Sequence, residues 1–376
     1  MKNTINKIFL DNFKTQGYLY TAPGRINLIG EHTDYNEGFV MPGAIDKAIV
    51  AEIKPNNSKM VKVFSVDFNE YSEFEIGTDK LPAESWMRYI YGVCCEVIKR
   101  GGKVEGFDAV FMGNLPVGAG LSSSAALESV FGFAINDLFN DNSISKVDLA
   151  LIGQSTEHNY CGVKCGIMDQ FASLFGLKGK LIRLDCRSMK YEYFPINAEG
   201  YKLVLINSKI KHELVDSPYN KRRESCERVS GILNKPSLRG VTFAELDAIK
   251  ELISGDDYKR AKFVIGEEAR VLDLCEALNI GDVERAGDNI YATHYGLSQD
   301  YEVSCDELDF LVEVARTCGA TGSRMMGGGF GGCTINLVKD EIYDNFISVA
   351  IAQFEAKYGI KPDVIDVVVS DGARRI

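Results

Sequence analysis

Short segments rich in β-branched and aromatic residues dominate the N-terminal part of the chain. Such residues favour strands, and they predict strands at 18–22, 48–54, 59–66 and 73–76. From Trp86 to Ile98 the apolar residues recur with the 3.6-residue period of one helix face, and two glycines follow. The pattern therefore predicts a β-rich unit that leads into a helix.

A glycine-rich loop joins the next strand to the next helix. The strand is predicted at 107–112, and helical spacing returns between Leu127 and Phe139. A further helix begins at Ser145, with Asp148 as its capping partner, and extends to about Asn159. The order strand, glycine-rich loop, helix is the local context in which loops often bind phosphate.

Helical patterns prevail in the second half. Strands at 180–185 and 201–208 flank a polar stretch, and there we place a domain boundary between residues 1–195 and 196–376. Further helices are predicted near 217–233, 258–277, 283–296, 306–318 and 341–357, with strands at 333–338 and 364–369. Because both halves mix strands and helices, the predicted fold class is α+β, with two domains and a cleft between them.

Composition and charge narrow the range of functions. The chain of 376 residues carries a net charge of -11, which argues against nucleic-acid binding because phosphate backbones are held by clustered Lys and Arg. No apolar run reaches the ~18 residues of a membrane span. The ten cysteines form no CxxC pair, which favours reduced thiols and a cytoplasmic location over a metal clip at Cys161 and Cys165.

The loop PVGAGLSSSA, residues 116–125, has the features of a phosphate site. Glycines let the backbone approach a ligand, and three serines stand where the unpaired N–H groups of a helix start favour an anion. A plain N-terminal cap needs only one serine. Because the Walker pattern GxxxxGK[ST] is absent, another cation must meet the phosphates, and Arg25 is the candidate.

A second glycine run, GGGFGG at 327–332, formally matches the dinucleotide pattern GxGxxG. It follows a predicted helix and Ser323-Arg324 and leads into a strand, which is the reverse of the context that a dehydrogenase requires. Two interpretations remain open: a tight turn without a ligand, and a close approach to the first loop or to a ligand.

Two acidic segments carry the remaining candidate chemistry. GRINLIGEHTDYNEG, residues 24–38, crowds charged groups beside an apolar run, which fits either a solvated turn or the wall of a pocket for a hydroxyl-rich ligand. In CGIMDQ, Asp169 stands at the start of a helix, where a carboxylate is usually a cap and a catalytic base is the alternative.

Taken together, GRINLIGEHTDYNEG, LPVGAGLSSSAALE, CGIMDQ and GGGFGGCT resemble the galactokinases of the GHMP small-molecule kinase family in their order and spacing. The resemblance extends from about residue 18 to the C-terminus. It implies a two-domain GHMP kinase fold, with an N-terminal mixed α/β domain that holds the ATP loop, a C-terminal ferredoxin-like domain, and the active site between them. It also implies transfer of a phosphoryl group from ATP to the 1-hydroxyl of α-D-galactose, with Mg²⁺, as the first committed step of galactose catabolism.

The same resemblance assigns roles to individual residues. Asp169 would accept the proton of the sugar hydroxyl, and Arg25 would stabilise both the phosphoryl group and Asp169. The expected sugar contacts are Glu31, His32, Thr33, Asp34, Gly166 and Tyr219. Mg²⁺ would be held by Ser124 and Glu157. The expected ATP contacts are Ser65, Trp86, Tyr89, Gly118, Ala119, Gly120, Leu121, Ser122, Ser123 and Ser124.

Several alternatives stay open at this stage. His32 fits a supporting hydrogen-bond role as well as a sugar contact, and Trp86 and Tyr89 fit the periodicity of a helix core. The same pocket would also suit a sugar-and-ATP sensor without turnover, or a kinase for N-acetylgalactosamine. We expect a monomer or a weak homodimer.

Overall fold

The computed structural model describes residues 1–116, 119–196, 199–211 and 218–376. The N-terminal part contains α1 (Lys2–Phe13), β1 (Tyr18–Asn27), β2 (Phe39–Val40), β3 (Pro42–Pro55), β4 (Met60–Ser65) and β5 (Glu70–Glu75). It continues with α2 (Ser85–Lys99), β6 (Phe107–Gly113), α3 (Ser123–Phe139), α4 (Lys146–Thr156), α5 (Met168–Phe175), β7 (Lys180–Asp185) and β8 (Tyr191–Pro195).

The second half is mainly helical around one sheet. Its elements are β9 (Tyr201–Lys211), α6 (Pro218–Ile232), α7 (Phe243–Ala248), α8 (Gly255–Ile280), α9 (Val283–Tyr295), α10 (Asp306–Thr317), β10 (Gly322–Met326), β11 (Gly331–Lys339), α11 (Asp340–Tyr358), β12 (Asp363–Asp366) and β13 (Arg374–Arg375). Short 3₁₀ turns lie at Asp34–Asn36 and Lys250–Leu252, and π-helical turns at Glu157–Cys161 and Gly296–Asp300.

Three sheets organise these elements. The largest has six strands in the order β13-β1-β3-β6-β4-β5, and its only parallel pair is β4 with β6. A four-stranded antiparallel sheet has the order β10-β11-β9-β12, and a three-stranded sheet has the order β2-β7-β8. The sheets are mixed with helices in both halves, as the α+β prediction requires.

Most predicted elements are confirmed, including the cap at Ser145, whose hydroxyl accepts the Asp148 N–H at 3.1 Å. Six elements were not predicted: α1, β2, β8, α7, β10 and β13. Helix α1 buries only Ile5 and Phe9, against Val50 and Val110, so its apolar face is too narrow to stand out in the sequence. Strand β8 lies in the stretch read as polar because most of its side chains are at least partly exposed. Strand β10 was missed because all five of its residues are buried, so it shows no alternation, and they include a glycine, a serine and an arginine.

The apolar core joins the two halves of the chain. Its largest cluster lies between the six-stranded sheet and helices α2 to α5. A second cluster packs Ile26, Leu28 and Ile29 from the N-terminal half against Leu205 and Ile335 from the C-terminal half. The division at residues 195 and 196 stays a prediction, and β13 returns from the second half to pair with β1. Among the residues that the structure describes, none of the helices has the length and apolar content needed to cross a bilayer.

Candidate active site

Two adjoining cavities lie where β1, the start of α3, the start of α5 and the β10–β11 turn meet. The large cavity has a volume of about 450 Å³ and is lined by Glu31, His32, Asp34, Tyr89, Glu157, Gly166, Tyr219 and Phe330, among others. The loop cavity, of about 280 Å³, is lined by Pro116, Gly120, Leu121 and Ser122 to Ser124. Arg25, Ser124, Asp169, Gly327 and Gly328 line both cavities. Four of the sequence-predicted segments therefore converge on one place.

An ion pair stands at the junction of the two cavities. Arg25 donates from Nε to Asp169 Oδ1 at 2.8 Å and from Nη2 to Oδ2 at 3.1 Å, and its Nη1 donates to the carbonyl of Gly120. Ser122 Oγ also donates to Asp169 Oδ2, at 2.5 Å. Two-point contacts of this kind hold the carboxylate in one orientation as well as pairing it with a positive charge. The expected pairing of Arg25 with Asp169 is confirmed, and Asp169 keeps 29% of its side chain exposed.

The serine loop differs from a simple helix cap. Ser122 lies at the N-terminus of α3 with a φ of 57° and makes no side-chain cap bond, because its hydroxyl is used by Asp169. Gly120, Leu121, Ser122, Ser123 and Ser124 line the loop cavity. Ala119 is buried in the core and does not line it, so any contact from Ala119 would have to come from its backbone. Gly118 lies outside the described residues.

The β10–β11 turn explains the second glycine run. The run GGGFGG follows Ser323-Arg324 and leads into a strand, as predicted, but these two residues belong to strand β10, which lies between helix α10 and the run, so the run closes a hairpin. A Cβ built at Gly327 would lie 3.6 Å from the carbonyl oxygen of Gly120 and 3.7 Å from its Cα. The run is thus a tight turn and also a close approach to the first loop, which joins the two alternatives.

Two buried carboxylates lie close enough to interact: Glu157, on the wall of the large cavity, and Glu128, on α3. Glu157 opens the π-helical turn Glu157–Cys161; burial raises its pKa to about 7, while a hydrogen bond with Ser124 lowers it and the charge of Asp169 raises it. Burial and the charge of Glu157 raise the pKa of Glu128 well above its usual range. Glu128 Oε2 accepts from Gln170 at 3.0 Å, whereas Oε1 has no partner among the described residues. A cation nearby would stabilise the ionised form of the Glu128 carboxyl group.

Glu128 was not predicted from the sequence. The available signal was its position one turn after Ser124 on α3, which places both side chains on the same helix face. An acidic residue inside an otherwise buried helix is rare unless it is paired or has a function.

Glu31 connects the sugar signature to the glycine turn. Its Oε1 accepts the N–H of Gly327 at 2.8 Å and a hydrogen bond from Arg324 Nη2 at 3.1 Å. Arg324 is fully buried and also donates to the carbonyls of Leu28 at 2.9 Å, Met325 at 2.6 Å and Asn27. Sequence reasoning treated Arg324 only as a residue before the glycines, although it holds the end of β1 in place.

Asp34 and Gly166, which both line the large cavity, are in direct contact. A Cβ at Gly166 would lie 1.9 Å from Asp34 Oδ2, so only glycine admits the carboxylate at this distance. Asp34 Oδ1 accepts the N–H of Tyr35 at 2.9 Å. Burial, and secondly the charge of Asp169, raise the pKa of Asp34 to about 7. Asp34 is therefore a constrained hydrogen-bonding group on the cavity wall.

His32 also lines the large cavity, in a left-handed conformation with a φ of 62°. Its ring packs against Tyr219 and Tyr301, with centroid distances of 5.3 and 5.0 Å, and its Nδ1 lies 2.8 Å from the hydroxyl of Tyr35. Burial, and secondly the charge of Arg222, lower the pKa of His32 to about 3, so the ring is neutral at pH 7.

Thr33 does not reach the large cavity. Its hydroxyl lies within hydrogen-bond distance of two backbone carbonyls, those of Gly30 at 2.8 Å and Phe39 at 2.6 Å, and its side chain is buried. The predicted sugar contact of Thr33 is therefore not supported by this geometry. Its neighbours on either side, His32 and Asp34, do line the cavity.

The three expected nucleotide contacts outside the loop separate in the structure. Tyr89 lines the large cavity. Trp86 is buried in the core, where its ring packs against Phe111 and its Nε1 donates to Glu70 at 2.8 Å. Ser65 is fully buried on β4 and lines neither cavity. The core interpretation thus applies to Trp86, and the structure does not bring Ser65 or Trp86 to the site.

Comparisons with known proteins agree with this arrangement. Residues 7–55 match the galactokinase galactose-binding signature, 88–177 the GHMP kinases N terminal domain, and 274–356 the GHMP kinases C terminal domain. The galactokinase of Thermosipho africanus is 42% identical over 94% of this chain and 99% of its own length. That of Clostridium beijerinckii is 39% identical over 100% of this chain and 98% of its own.

Solved structures give the same result. The crystal structure of Lactococcus lactis galactokinase complexed with galactose has a TM-score of 0.95 and 32% identity, and it covers all of both chains. The Methanococcus jannaschii mevalonate kinase, at 16% identity and a TM-score of 0.66 over 95% of this chain and all of its own, shares the fold. With the motifs, the fold and these relatives in agreement, the chain belongs to the galactokinases of the GHMP kinase family.

Proposed function

We propose that the chain transfers the terminal phosphoryl group of ATP to the 1-hydroxyl of α-D-galactose and releases galactose 1-phosphate and ADP, the first committed step of galactose catabolism. The observation that carries this proposal is the junction of the two cavities at Arg25 and Asp169, which places one acid and one cation between a hydroxyl-binding and an anion-binding wall. The identity of the relatives supports galactose as the sugar.

Galactose would occupy the large cavity. Carboxylates accept hydrogen bonds from sugar hydroxyls, and each such charge-assisted bond contributes about 1.5 to 3 kcal/mol. Glu31 and Asp34 are the acceptors that line the wall, and Tyr219 supplies a phenolic hydroxyl from the first turn of α6. A pocket with several fixed polar groups selects a sugar by the positions of its hydroxyls.

The phosphates of ATP would occupy the loop cavity. The N-terminus of α3 presents unpaired backbone N–H groups, and its dipole favours an anion. The hydroxyls of Ser123 and Ser124 line the same cavity. Gly120 and Gly327 approach each other closely and line the loop cavity with Arg25, so phosphates bound there would lie beside Arg25.

The residues at the junction supply the chemistry. The sugar oxygen O1 forms a bond to phosphorus while the bond between that phosphorus and the bridging oxygen of ADP breaks, and the O1 proton passes to Asp169. A sugar hydroxyl has a high pKa, so this proton moves late, once bond formation has made it acidic. Arg25 neutralises charge on the transferring group and holds Asp169 in line, which suits a reaction governed by positioning and electrostatics.

We also propose that Ser124 and Glu157 hold Mg²⁺ together with the ATP phosphates. Magnesium prefers oxygen ligands and commonly shares them with substrate phosphates. The two side chains interact with each other, and the unpartnered Oε1 of Glu128 is a further carboxyl oxygen nearby. No group of three or more His, Cys, Asp or Glu side chains within the described ranges could hold a metal by itself, so the phosphates would complete the site. The ion would supply charge neutralisation.

Removal of divalent cations is expected to abolish turnover, and added Mg²⁺ should restore it. Glu157→Gln should raise the Mg²⁺ concentration for half-maximal activity by about tenfold or more, because a neutral amide is a weak magnesium ligand. ADP release after EDTA treatment and Mg²⁺ titration measures both effects. Glu199→Gln, in the turn that precedes β9, serves as the matched control. Full activity in EDTA, or an unchanged titration for Glu157→Gln, would refute the assignment.

A sugar panel tests the reaction itself. In an ADP-release assay with galactose, glucose and N-acetylgalactosamine, galactose is expected to be the preferred substrate, and the product should carry phosphate on O1. No turnover with galactose, or equal turnover with glucose, contradicts the proposal. Tight binding of galactose and ATP without product would instead indicate a sensor, and a preference for N-acetylgalactosamine would indicate a kinase for that sugar.

All ten cysteines are free thiols, which suits a reducing compartment. From this we infer a cytoplasmic location. The expectation of a monomer or weak homodimer stays a prediction.

A further inference from the structure

A chain of hydrogen-bonding groups leads from His32 into the helical half of the protein. The Tyr35 hydroxyl lies 2.8 Å from His32 Nδ1 and 2.8 Å from the hydroxyl of Tyr301. The Tyr301 hydroxyl lies 3.3 Å from Cys226 Sγ. Tyr301 and Cys226 are buried, and neither these two residues nor Tyr35 lines the large cavity. The chain therefore touches the site only through the imidazole ring.

The protons of this chain can point in either of two directions. In the first, Cys226 donates to Tyr301, Tyr301 to Tyr35, and Tyr35 to Nδ1 of His32. In the second, each bond is reversed, so the imidazole N–H donates to Tyr35 and the last phenol donates to sulfur. A neutral imidazole nitrogen is a good acceptor and thioether or thiol sulfur is a weak one. The first direction joins the phenol donor to the best acceptor, and it also gives the thiol proton a partner.

The two ends of the chain favour the same direction. The side chain of Asn36 interacts with Cys226, and an amide N–H donated to sulfur leaves the thiol proton available for Tyr301. At the other end, the ring faces the backbone of Gly328, and this interaction favours a proton on the ring nitrogen. His32 Nε2 nevertheless completes no hydrogen bond with the described residues. The ring thus has one buried nitrogen without a completed hydrogen bond, on a side chain that lines the large cavity together with Gly328.

We propose that Tyr35, held by Tyr301 and Cys226, fixes the neutral ring of His32 in the tautomer that carries its proton on Nε2, so that His32 presents an N–H donor to the sugar. The sugar part of this statement rests on the proposed function. Glu31, Asp34 and Asp169, when ionised, can only accept hydrogen bonds, whereas each sugar hydroxyl oxygen can also receive one. A fixed donor on this wall therefore complements the acids. Tyr35 acts through His32 and is a positioning residue.

The tautomer can be measured directly without a substrate. The protein has four histidines. When it is labelled with ¹⁵N-histidine, the signals of His32 can be identified by their loss in His32→Gln. The two ring nitrogens have different chemical shifts when one carries the proton. We expect the wild type to show the proton on Nε2. Finding the proton on Nδ1 would overturn the proposal.

Removal of single hydroxyl groups tests whether the chain of hydrogen bonds sets the tautomer of His32. Tyr35→Phe should give a mixture of His32 tautomers and raise KM for galactose by about two- to threefold, the inverse of the fraction that keeps the proton on Nε2, with kcat changed less than twofold. Tyr301→Phe should have a smaller effect in the same direction because Tyr35 keeps its bond to His32. An unchanged tautomer in Tyr35→Phe would overturn the proposal, as would a fall in kcat with unchanged KM.

Matched variants separate this role from packing. Tyr295→Phe makes the same substitution at a residue that is 67% exposed and should change neither the tautomer nor KM. Cys226→Ser keeps a donor and should retain the wild-type tautomer and KM, whereas Cys226→Ala should raise KM slightly. If Tyr35→Phe does not fold, the Cys226 pair supplies the test, and equal KM values for Ser and Ala would refute the relay. Failure of galactose phosphorylation by the wild type would refute the proposed function, while the tautomer measurement would still decide the role of Tyr35.

Discussion

Asp169→Asn is expected to lower kcat by about 10²- to 10⁴-fold, the usual contribution of a general base, while KM for galactose changes little. The amide has the shape of the carboxylate but cannot accept the O1 proton at neutral pH, and it loses the charge that pairs with Arg25. An interaction used mainly in the transition state lowers kcat rather than binding. Steady-state ADP release over a galactose titration measures both constants.

The control for this variant is Asp256→Asn, at a side chain that is 65% exposed and should leave both constants unchanged. If Asp169→Asn retains kcat close to that of the wild type, Asp169 orients the hydroxyl and does not accept its proton. If KM rises and kcat does not fall, the residue contributes to sugar binding only.

Arg324→Leu is expected to reduce the free energy of unfolding by about 3 to 5 kcal/mol, the usual cost of removing one partner of a buried ion pair. The guanidinium donates to the Leu28, Asn27 and Met325 carbonyls and to Glu31. Leucine would remove this donor from all four buried acceptors, and Glu31 would keep only its hydrogen bond from Gly327. Urea unfolding followed by fluorescence and circular dichroism measures the loss.

Arg375→Leu provides the comparison, because Arg375 pairs with Asp137 at 3.2 Å and is 49% exposed. Exposed pairs contribute about 0 to 1 kcal/mol. Equal losses in the free energy of unfolding for the two variants would show that the buried contacts of Arg324 stabilise the fold no more than an exposed ion pair does. A stable Arg324→Leu protein with normal KM would also contradict its role in placing Glu31.

Much of the fold could be predicted because its longer elements have clear apolar periods. Helices α2 and α3 and strand β6 bury regular faces, and their predicted limits differ from the observed ones by a few residues. Elements such as α1 and β8 were missed because few of their side chains are buried, so burial left little pattern in the sequence. Their placement depends on packing against distant residues.

The site shows the same division. The pairing of Arg25 with Asp169 was expected only because the motifs that contain them resemble those of the galactokinases, since the two residues are 144 positions apart. The role of Arg324 could not be predicted, since two of the carbonyls that it binds, those of Asn27 and Leu28, lie almost 300 positions earlier in the chain.

Trp86 and Thr33 illustrate the opposite error. Trp86 lies on the same helix as Tyr89, which lines the large cavity, but its side chain packs in the core. Thr33 lies between two residues that line the cavity, but its hydroxyl bonds to backbone carbonyls. Neighbourhood in sequence does not determine the direction of a side chain.

The cluster that joins the two halves of the chain also affects its synthesis on the ribosome. Ile26, Leu28 and Ile29 leave the ribosome about 300 residues before Ile335, one of the residues that cover them. At translation rates of about 5 to 20 residues per second, this interval is roughly 15 to 60 s. During that time the apolar side chains of this nascent segment lack their final partners, so we expect the first half to be prone to aggregation until the second half has been made.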